Sequence, residues 1–212
     1  MSKQQGFTLV ELAIVFLIIG ILLGAVLKGQ EMVNNARIKR AVSDFDGVAA
    51  AIFSYQDRYN RLPGDDPGAN ARWTLATPGC DGDANGSIDG LWNVGPDNCS
   101  GTAMTGANES LLMWFHLRRS GLITGKTIIT DDESFAQPSN PFGGIIGVQD
   151  GAPLAGIQGH VVCMSRVLGK FGGVIDSQVD DGAGDSGILQ QEIAAATPAY
   201  VEGTEYIICR QL

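Results

Sequence analysis

A run of acidic and small residues at positions 81–89 has the composition of a cation-binding loop. Alternate residues offer side-chain or carbonyl oxygens, and Gly86 permits a sharp turn. The run matches the first nine positions of an EF-hand-type calcium loop, whose ligands are oxygens at alternate positions. The candidate Ca²⁺ ligands are therefore Asp81, Asp83, Asn85, the Ser87 carbonyl and Asp89.

The calcium match is incomplete, and two interpretations of this loop stay open. Position twelve is Trp92, where an EF-hand has a bidentate glutamate, and no helical pattern flanks the run. Cys80 and Cys99 bracket the loop, so that a disulfide could hold it in place of helices. The other interpretation is a loop of Asx turns without a cation. Residues 180–185, a second acidic glycine-rich run, form a weaker cation candidate.

Catalytic signatures are missing from the sequence. His116 and His160 are the two histidines, and there is no G-x-S-x-G, H-E-x-x-H or phosphate-loop pattern. We interpret His116 as a packing residue and expect no enzyme activity. The chain has 14 basic and 23 acidic residues, a net charge of −9, which argues against nucleic acid as a direct partner.

A single carboxylate interrupts the apolar N-terminal run at residues 7–27. Those 21 residues contain one charged side chain, Glu11. As a helix the run spans about 31 Å, enough to cross a hydrocarbon core of about 30 Å. A carboxylate there costs on the order of 2.5–3.5 kcal/mol and is a functional candidate by default, with a cation as its natural partner. The alternative is that Glu11 lies near the headgroups and reaches water.

The residues before this run carry a family resemblance. Lys3, Gly6 and the segment 7–11, Phe-Thr-Leu-Val-Glu, resemble the leader of type IV prepilins and pseudopilins. The resemblance implies that a prepilin peptidase cuts between Gly6 and Phe7 and that Phe7 becomes N-methylated. The new amine of Phe7 would then be the cation that pairs with Glu11 of a neighbouring subunit.

Two glycines in the apolar run have the spacing of a helix-packing motif. Gly20 and Gly24 form G-x-x-x-G, which lets membrane helices approach closely, as in a filament core. The alternative is the ordinary tolerance of glycine in membrane helices. Many pilins of the family have a proline near the end of the apolar run. This chain has none before Pro63, which leaves local melting of the helix in a filament open.

The surrounding elements predict an α+β fold. Residues 28–60 extend the helix with an amphipathic stripe, which consists of Ile38, Val42, Phe45, Ala49, Ile52 and Tyr59. Further periodicity predicts helices at 108–120 and 171–179 and strands at 126–130, 144–148, 160–165 and 205–210. The resemblance implies a type IV pilin fold, a long N-terminal helix with a transmembrane first half, packed on an antiparallel sheet.

The predicted organisation has four parts. They are a leader at 1–6, a transmembrane half-helix at 7–27, an amphipathic half-helix at 28–60 and a head at 61–212, itself divided into a loop region 61–123 and a sheet region 124–212. An even number of cysteines outside the cytoplasm favours two disulfides. The cysteines are Cys80, Cys99, Cys163 and Cys209. The resemblance implies that Cys163 and Cys209 bound the C-terminal region of the head.

The resemblance also implies a function in assembly. We expect a structural subunit of a type IV pilus, major or minor, that waits in the inner membrane with a periplasmic head and ends in an extracellular filament. Its partners would be identical or related pilin subunits, the prepilin peptidase, an inner-membrane assembly platform and, before assembly, the lipid bilayer. A type II secretion pseudopilin is the alternative, and a membrane-anchored binding domain is a third possibility.

Overall fold

The computed structural model describes residues 8–75, 80–95, 108–150, 157, 159–192 and 199–212. The chain divides into two units, Met1–Lys39 and Arg40–Leu212. The division falls inside the predicted amphipathic segment 28–60. The predicted boundaries at residues 6, 27 and 60 concern processing and membrane position, and they stay predictions.

The first element is a continuous helix, α1, at Leu9–Tyr59. The prediction of one long helix is confirmed from Leu9 onward, and Phe7 lies outside the described residues. The absence of proline from this stretch lets its backbone hydrogen bonds continue unbroken. From Leu9 to Val33 its apolar side chains are exposed, with Phe16 at 71%. The helix is long and apolar enough near its N-terminus to cross a membrane.

The part of α1 in the second unit buries one face. The predicted stripe is confirmed at Ile38, Phe45 and Ile52, which are buried, whereas Val42, Ala49 and Tyr59 are only half-buried. Most residues buried there recur at alternating spacings of four and three, namely Ala41, Phe45, Val48, Ile52 and Tyr55, and Ala51 beside Ile52 is buried as well. The sequence is apolar at adjacent positions such as 41 and 42 or 48 and 49, so periodicity alone did not separate the two faces.

The sheet has four antiparallel strands in the order β1-β2-β4-β3. Their bounds are Ile146–Asp150, His160–Leu168, Leu189–Glu192 and Glu205–Gln211 for β1 to β4. The predicted strands at 144–148, 160–165 and 205–210 are confirmed as β1, β2 and β4. The strand predicted at 126–130 is wrong, since the segment turns at Asp131 and the Ile128 amide donates to Ser134 Oγ instead of a neighbouring strand.

A disulfide joins the two central strands. Cys163 of β2 and Cys209 of β4 face each other in the register and are bonded, as the resemblance implied. The two cysteines are 46 residues apart in sequence. Because the bond lowers the entropy of the unfolded chain, it stabilises the folded state by about 4 kcal/mol on the loop-entropy model. Cys99 lies outside the described residues, so its predicted pairing with Cys80 stays a prediction.

Three shorter helices complete the second unit. They are α2 at Ala69–Trp73, α3 at Glu109–Arg119 and α4 at Gly169–Val179. The helices predicted at 108–120 and 171–179 are confirmed as α3 and α4, while α2 was not predicted. Helix α3 is buried from Glu109 through Arg118. Its apolar side chains join Phe135 in a core cluster, where the Phe115 and Phe135 rings stack at 4.8 Å.

Candidate functional site

The start of α1 holds Glu11 by a capping box. The Thr8 amide and the Thr8 hydroxyl both donate to Glu11 Oε2 at 2.8 Å, and the Glu11 amide donates to Thr8 Oγ1 at 3.3 Å. A threonine before the first turn and a glutamate three residues later satisfy donors that the helix start leaves without partners. Thr8 was not predicted, although the T-x-x-E spacing is readable in the sequence. The capping box fixes the direction of the Glu11 carboxylate.

Between Glu11 and Lys28 the surface of α1 consists of apolar side chains and small residues. A Cβ atom added to Gly20 or Gly24 would meet no other atom within 4 Å. The two glycines therefore leave a shallow strip on an exposed apolar helix, which another helix can approach closely. Gly6 and Phe7, the predicted cleavage and methylation site, lie outside the described residues.

A second candidate site lies in the head, where three carboxylates from separate segments come together. Asp65, Asp83 and Glu109 each place an oxygen so that all three atoms lie within 4.8 Å of one another. Asp65 and Glu109 are buried, and Asp83 is exposed. Only Asp83 belongs to the predicted ligand set. Asp65 and Glu109 lie outside that set, because nothing in the linear sequence relates them to the loop at 81–89.

The two buried carboxylates organise the loop at 81–89 around themselves. Asp65 accepts the amides of Asn85 at 3.0 Å and Gly86 at 2.8 Å. Glu109 accepts the amides of Asp83 at 3.0 Å and Asp89 at 3.1 Å. Burial raises the pKa of Glu109 to about 7, and the negative charges of the neighbouring aspartates act in the same direction.

Close packing of the backbone brings this loop to Asp65. A Cβ atom on Gly82 would lie 2.3 Å from the Asp65 Cα, which is far below any normal contact. The Gly82 amide donates to the Asp66 carbonyl at 3.1 Å. Only glycine permits this approach, so Gly82 allows the loop amides to reach the buried carboxylates.

The remaining predicted ligands form hydrogen bonds with other groups. Asp81 accepts the Asn70 amide at 2.7 Å, near the start of α2. The Asn85 amide group bridges the side chains of Asp83 and Asp89, at 3.2 and 2.8 Å, and its oxygen accepts the Ser87 amide. The predicted ligands within residues 81–89 therefore do not gather around one point. The carboxylates that do come together are those of Asp83, Asp65 and Glu109.

The cluster has the chemistry of a site for a hard divalent cation. Calcium takes six to eight oxygens, often from carboxylates, and tolerates irregular geometry. Three carboxylate groups lie together here, with Asn85 and Asp89 one hydrogen bond further out. A cation would offset both the burial of the Glu109 carboxylate and its repulsion by the neighbouring aspartates. The residues present fit calcium by donor type, and calcium binding itself stays a prediction.

His116 joins two of the segments that carry the acidic cluster. Its ring is fully buried, accepts the Gly64 amide at Nδ1 over 3.0 Å and pairs through Nε2 with the Cys80 carbonyl at 2.9 Å. A carbonyl only accepts, so Nε2 carries the proton and the ring is neutral. His116 thereby ties the turn before Asp65 to the residue that begins the acidic loop. The ring is buried among other side chains, as predicted for a packing residue, and it also joins two backbone segments by hydrogen bonds, which was not predicted.

An ion pair between a buried carboxylate and a partly exposed arginine lies beside it. Arg72 of α2 donates to Asp66 Oδ2 at 2.6 Å, and the Tyr55 hydroxyl of α1 donates to the same oxygen at 2.6 Å. Hydrogen bonds to the charged form hold the pKa of Asp66 below its usual value in spite of burial. This network anchors the end of α1 to the segment that carries Asp65.

The second acidic run is engaged in local hydrogen bonds. Asp176, Asp180 and Asp181 bring carboxylate oxygens within 4.8 Å of one another. Asp176 accepts the Tyr200 hydroxyl at 2.7 Å, and Asp181 accepts the Ser186 hydroxyl at 2.7 Å. These hydrogen bonds hold the conformation of the loop between α4 and β3. This loop remains the weaker cation candidate.

Comparison with known proteins adds one finding. Residues 1–27 match the family described as the prokaryotic N-terminal methylation motif. No curated protein and no solved structure matches the chain. The methylation motif covers Gly6, Phe7 and Glu11, and it is followed by the apolar helix and the antiparallel sheet of an α+β fold. This motif supports a type IV pilin-like prepilin, and the long N-terminal helix with an antiparallel sheet is consistent with the pilin fold.

Proposed function

We propose that the chain is a structural subunit of a type IV pilus, major or minor, and that its activity is assembly. The observation that carries the proposal is the N-terminal methylation motif at the head of a long, exposed apolar helix. A prepilin peptidase cuts between Gly6 and Phe7 and methylates the new amine of Phe7. An inner-membrane assembly platform then moves the subunit from the bilayer into a filament of identical or related subunits.

In this proposal Glu11 pairs with the Phe7 amine of a neighbouring subunit. The capping box supports it, because both Thr8 donors bind Oε2 and no hydrogen bond among the described residues occupies Oε1. The carboxylate is therefore already oriented when a cation arrives. An ion pair at 4 Å gains about 4 kcal/mol at an effective dielectric near 20, before desolvation is subtracted.

Helix bundling provides the rest of the assembly energy. Subunits exchange lipid contacts for helix contacts of similar polarity, so the gain comes from close packing more than from the hydrophobic effect. The open strip at Gly20 and Gly24 suits such packing. Before assembly the head is periplasmic and α1 is anchored in the inner membrane, and after assembly the head is displayed on an extracellular filament.

The test of this proposal is Glu11→Gln, with Glu31→Gln as its matched control. Glu31 lies on the same helix, where it pairs with Lys28 at 2.8 Å on an exposed face outside the apolar run. We expect Glu11→Gln to leave leader cleavage and methylation intact, as measured by mass spectrometry of the mature N-terminus, and to abolish filaments in electron microscopy. The Glu31 variant should form filaments normally.

Two results would contradict the proposal. Normal filaments in the Glu11→Gln strain would remove the intersubunit ion pair and favour a membrane-anchored binding domain, which has no need of Glu11. An exported chain that still begins at Met1 would remove the whole assembly pathway. Abundance of the chain in sheared filaments separates a major from a minor pilin.

We also propose that the cluster of Asp65, Asp83 and Glu109 binds calcium. The donor set and the burial of two carboxylates support it. Calorimetric titration of the full chain in detergent with calcium chloride should give a saturable signal, and Asp83→Asn should weaken binding at least tenfold. Asp57→Asn, an exposed change on α1, is the control. Absence of a calcium signal at millimolar concentration would refute the proposal.

A type II secretion pseudopilin is the second candidate function. The acidic cluster favours it, because the major pseudopilins that this chain resembles at its N-terminus have a calcium-bound head. Such a subunit would have the same N-terminal processing but a short periplasmic filament. Mass spectrometry of filaments sheared from the cell surface distinguishes the two functions, since a pseudopilin would be absent from that fraction.

A further inference from the structure

The second unit of the chain is strongly acidic. Residues 40–212 contain 10 basic and 21 acidic residues. Copies of a unit with this charge repel one another when they are brought together. In the filament proposed above, close packing of these units therefore requires that basic groups on one copy meet acidic groups on the next.

Three exposed arginines form a basic surface at the end of α1, which we name the arginine patch. They are Arg58, Arg61 and Arg119. The Arg58 Nη1 donates to the Ser120 carbonyl at 3.0 Å, which places the end of α1 beside Arg119 at the end of α3. None of the three arginines forms an ion pair with a carboxylate in the described part of the chain. Their charges are therefore available to a partner outside the unit.

Aromatic rings lie beside the arginine patch. The Cζ atoms of Arg58 and Arg72 lie 5.9 and 4.2 Å from the centre of the Tyr59 ring. Tyr59 and Trp73 are half-buried, and their rings meet edge to face at 6.3 Å. Arginine, tyrosine and tryptophan are enriched at protein–protein interfaces. Because Arg58 is already held by its contacts, it loses little side-chain entropy on docking. This composition favours a protein as the partner.

The second acidic run, at residues 180–185, is the complementary surface. Asp181 and Asp185 are exposed, and Asp180 is half-buried. Carboxylate oxygens of Asp176, Asp180 and Asp181 lie within 4.8 Å of one another, so their charges repel. No lysine or arginine among the described residues forms an ion pair with these four aspartates. A guanidinium from another copy would supply the missing positive charge.

We propose that the arginine patch of one copy docks on the second acidic run of the next copy. The two surfaces are different parts of the same chain, so the contact is heterologous and can repeat in one direction, as a helical filament requires. Ion pairs between exposed side chains are individually weak. The contact therefore sets the register of neighbouring subunits, while packing of α1 supplies most of the stability. The proposal rests on the function in assembly and names one of its contacts.

The test uses two charge-reversal variants of the full chain in detergent. The patch variant carries Arg58→Glu and Arg119→Glu, and the run variant carries Asp181→Arg and Asp185→Arg. Sedimentation velocity at up to about 0.5 mM protein measures self-association. We expect wild type to self-associate reversibly, and at least tenfold more weakly when the ionic strength is raised from about 0.05 M to about 0.5 M. Each variant alone should associate at least tenfold more weakly than wild type.

Mixing the two variants is the decisive measurement. The acidic patch of one variant then meets the basic run of the other, and the unchanged surfaces match as well. An equimolar mixture should therefore associate as strongly as wild type. Loss of folding in either variant would not be repaired by mixing, so restoration of association is specific to the contact.

A matched control and a milder pair of variants complete the design. Arg166→Glu with Lys170→Glu changes the net charge as much as the patch variant does, at exposed positions outside the patch, and should leave association within about threefold of wild type. Asp181 accepts hydrogen bonds within its own loop. Arg119→Glu mixed with Asp185→Arg therefore repeats the test without changing Asp181.

Three results would overturn the proposal. They are a wild-type chain that stays monomeric over this range, a patch variant that associates as strongly as wild type, and a mixture that fails to restore association. In the last case the arginines face a different polyanion. Self-association in detergent needs neither leader cleavage nor Glu11, so failure of this contact is distinguishable from failure of filament assembly.

Discussion

Acidification is predicted to destabilise the head through His116. The ring is fully buried, lies parallel to the Tyr55 ring at 6.1 Å and uses both nitrogens in backbone hydrogen bonds. Burial lowers its pKa from 6.5 to about 4. Protonation would place a charge in a desolvated site and would turn Nδ1 from an acceptor of the Gly64 amide into a donor.

The sign and size follow from linkage. The unfolded chain binds a proton at His116 below its ordinary pKa near 6.5, whereas the folded chain does so only near pH 4. The contribution to stability is therefore complete above pH 6.5 and is lost as pH falls toward 4. Between pH 8 and pH 5 the loss from this one group amounts to about 2 kcal/mol, and the full shift corresponds to about 3 kcal/mol.

Urea unfolding of the full chain in detergent, followed by tryptophan fluorescence, measures this loss. Trp73 is a suitable reporter, since its ring lies 5.5 Å from the His116 ring. Carboxylates such as Glu109, whose pKa is raised to about 7, change stability in the opposite direction over this pH range. The informative quantity is therefore the difference between wild type and His116→Gln at each pH.

We expect the free energy of unfolding of His116→Gln to be lower than that of wild type at pH 8. This difference should become about 2 kcal/mol smaller at pH 5. His160→Gln changes the other histidine and serves as the control. A stability difference between wild type and His116→Gln that is the same at pH 8 and pH 5 would refute the reasoning. So would an NMR titration of the His116 ring near pH 6.5.

Three further predictions concern the packing of the head. Reducing the Cys163–Cys209 bond, or replacing both residues by serine, should lower the free energy of unfolding by about 4 kcal/mol, measured by urea denaturation with and without reductant. Gly82→Ala should displace the acidic loop, because the new Cβ would overlap backbone atoms at 2.3 Å, and weakened calcium binding in calorimetry would report it. Arg72→Met should cost about 3 kcal/mol because it leaves Asp66 buried without its cation, whereas a cost below 1 kcal/mol would contradict that assignment.

Elements with strong local signals were predicted well from the sequence. Helix α1 follows from a long stretch without proline, and α3 follows from Glu109 near its start and the arginines of its last turn. The β-branched segments at β1, β2 and β4 are strands as expected. The errors have physical causes: residues 126–130 are β-branched in part but have no strand beside them, and β3 is Leu-Gln-Gln-Glu, whose strand form depends on pairing with β4.

The acidic site was predicted only in part. The loop at 81–89 was recognised because its oxygens are regularly spaced in sequence. Its partners Asp65 and Glu109 were not, since they lie 18 and 26 residues from Asp83 along the chain and reach it only through folding. His116 contributes to this convergence by joining Gly64 to Cys80.

The sequence by itself determined the N-terminal helix, the methylation motif with Gly6, Phe7 and Glu11, and the α+β class. These features depend on the order of residues and on local hydrogen bonds, so a linear pattern is sufficient to identify them. Tertiary structure alone decided which face of α1 is buried, which carboxylates meet, and that Arg58 of α1 lies beside the end of α3. Those outcomes depend on which distant segments pack together, because burial and proximity are properties of the folded chain and not of any segment within it.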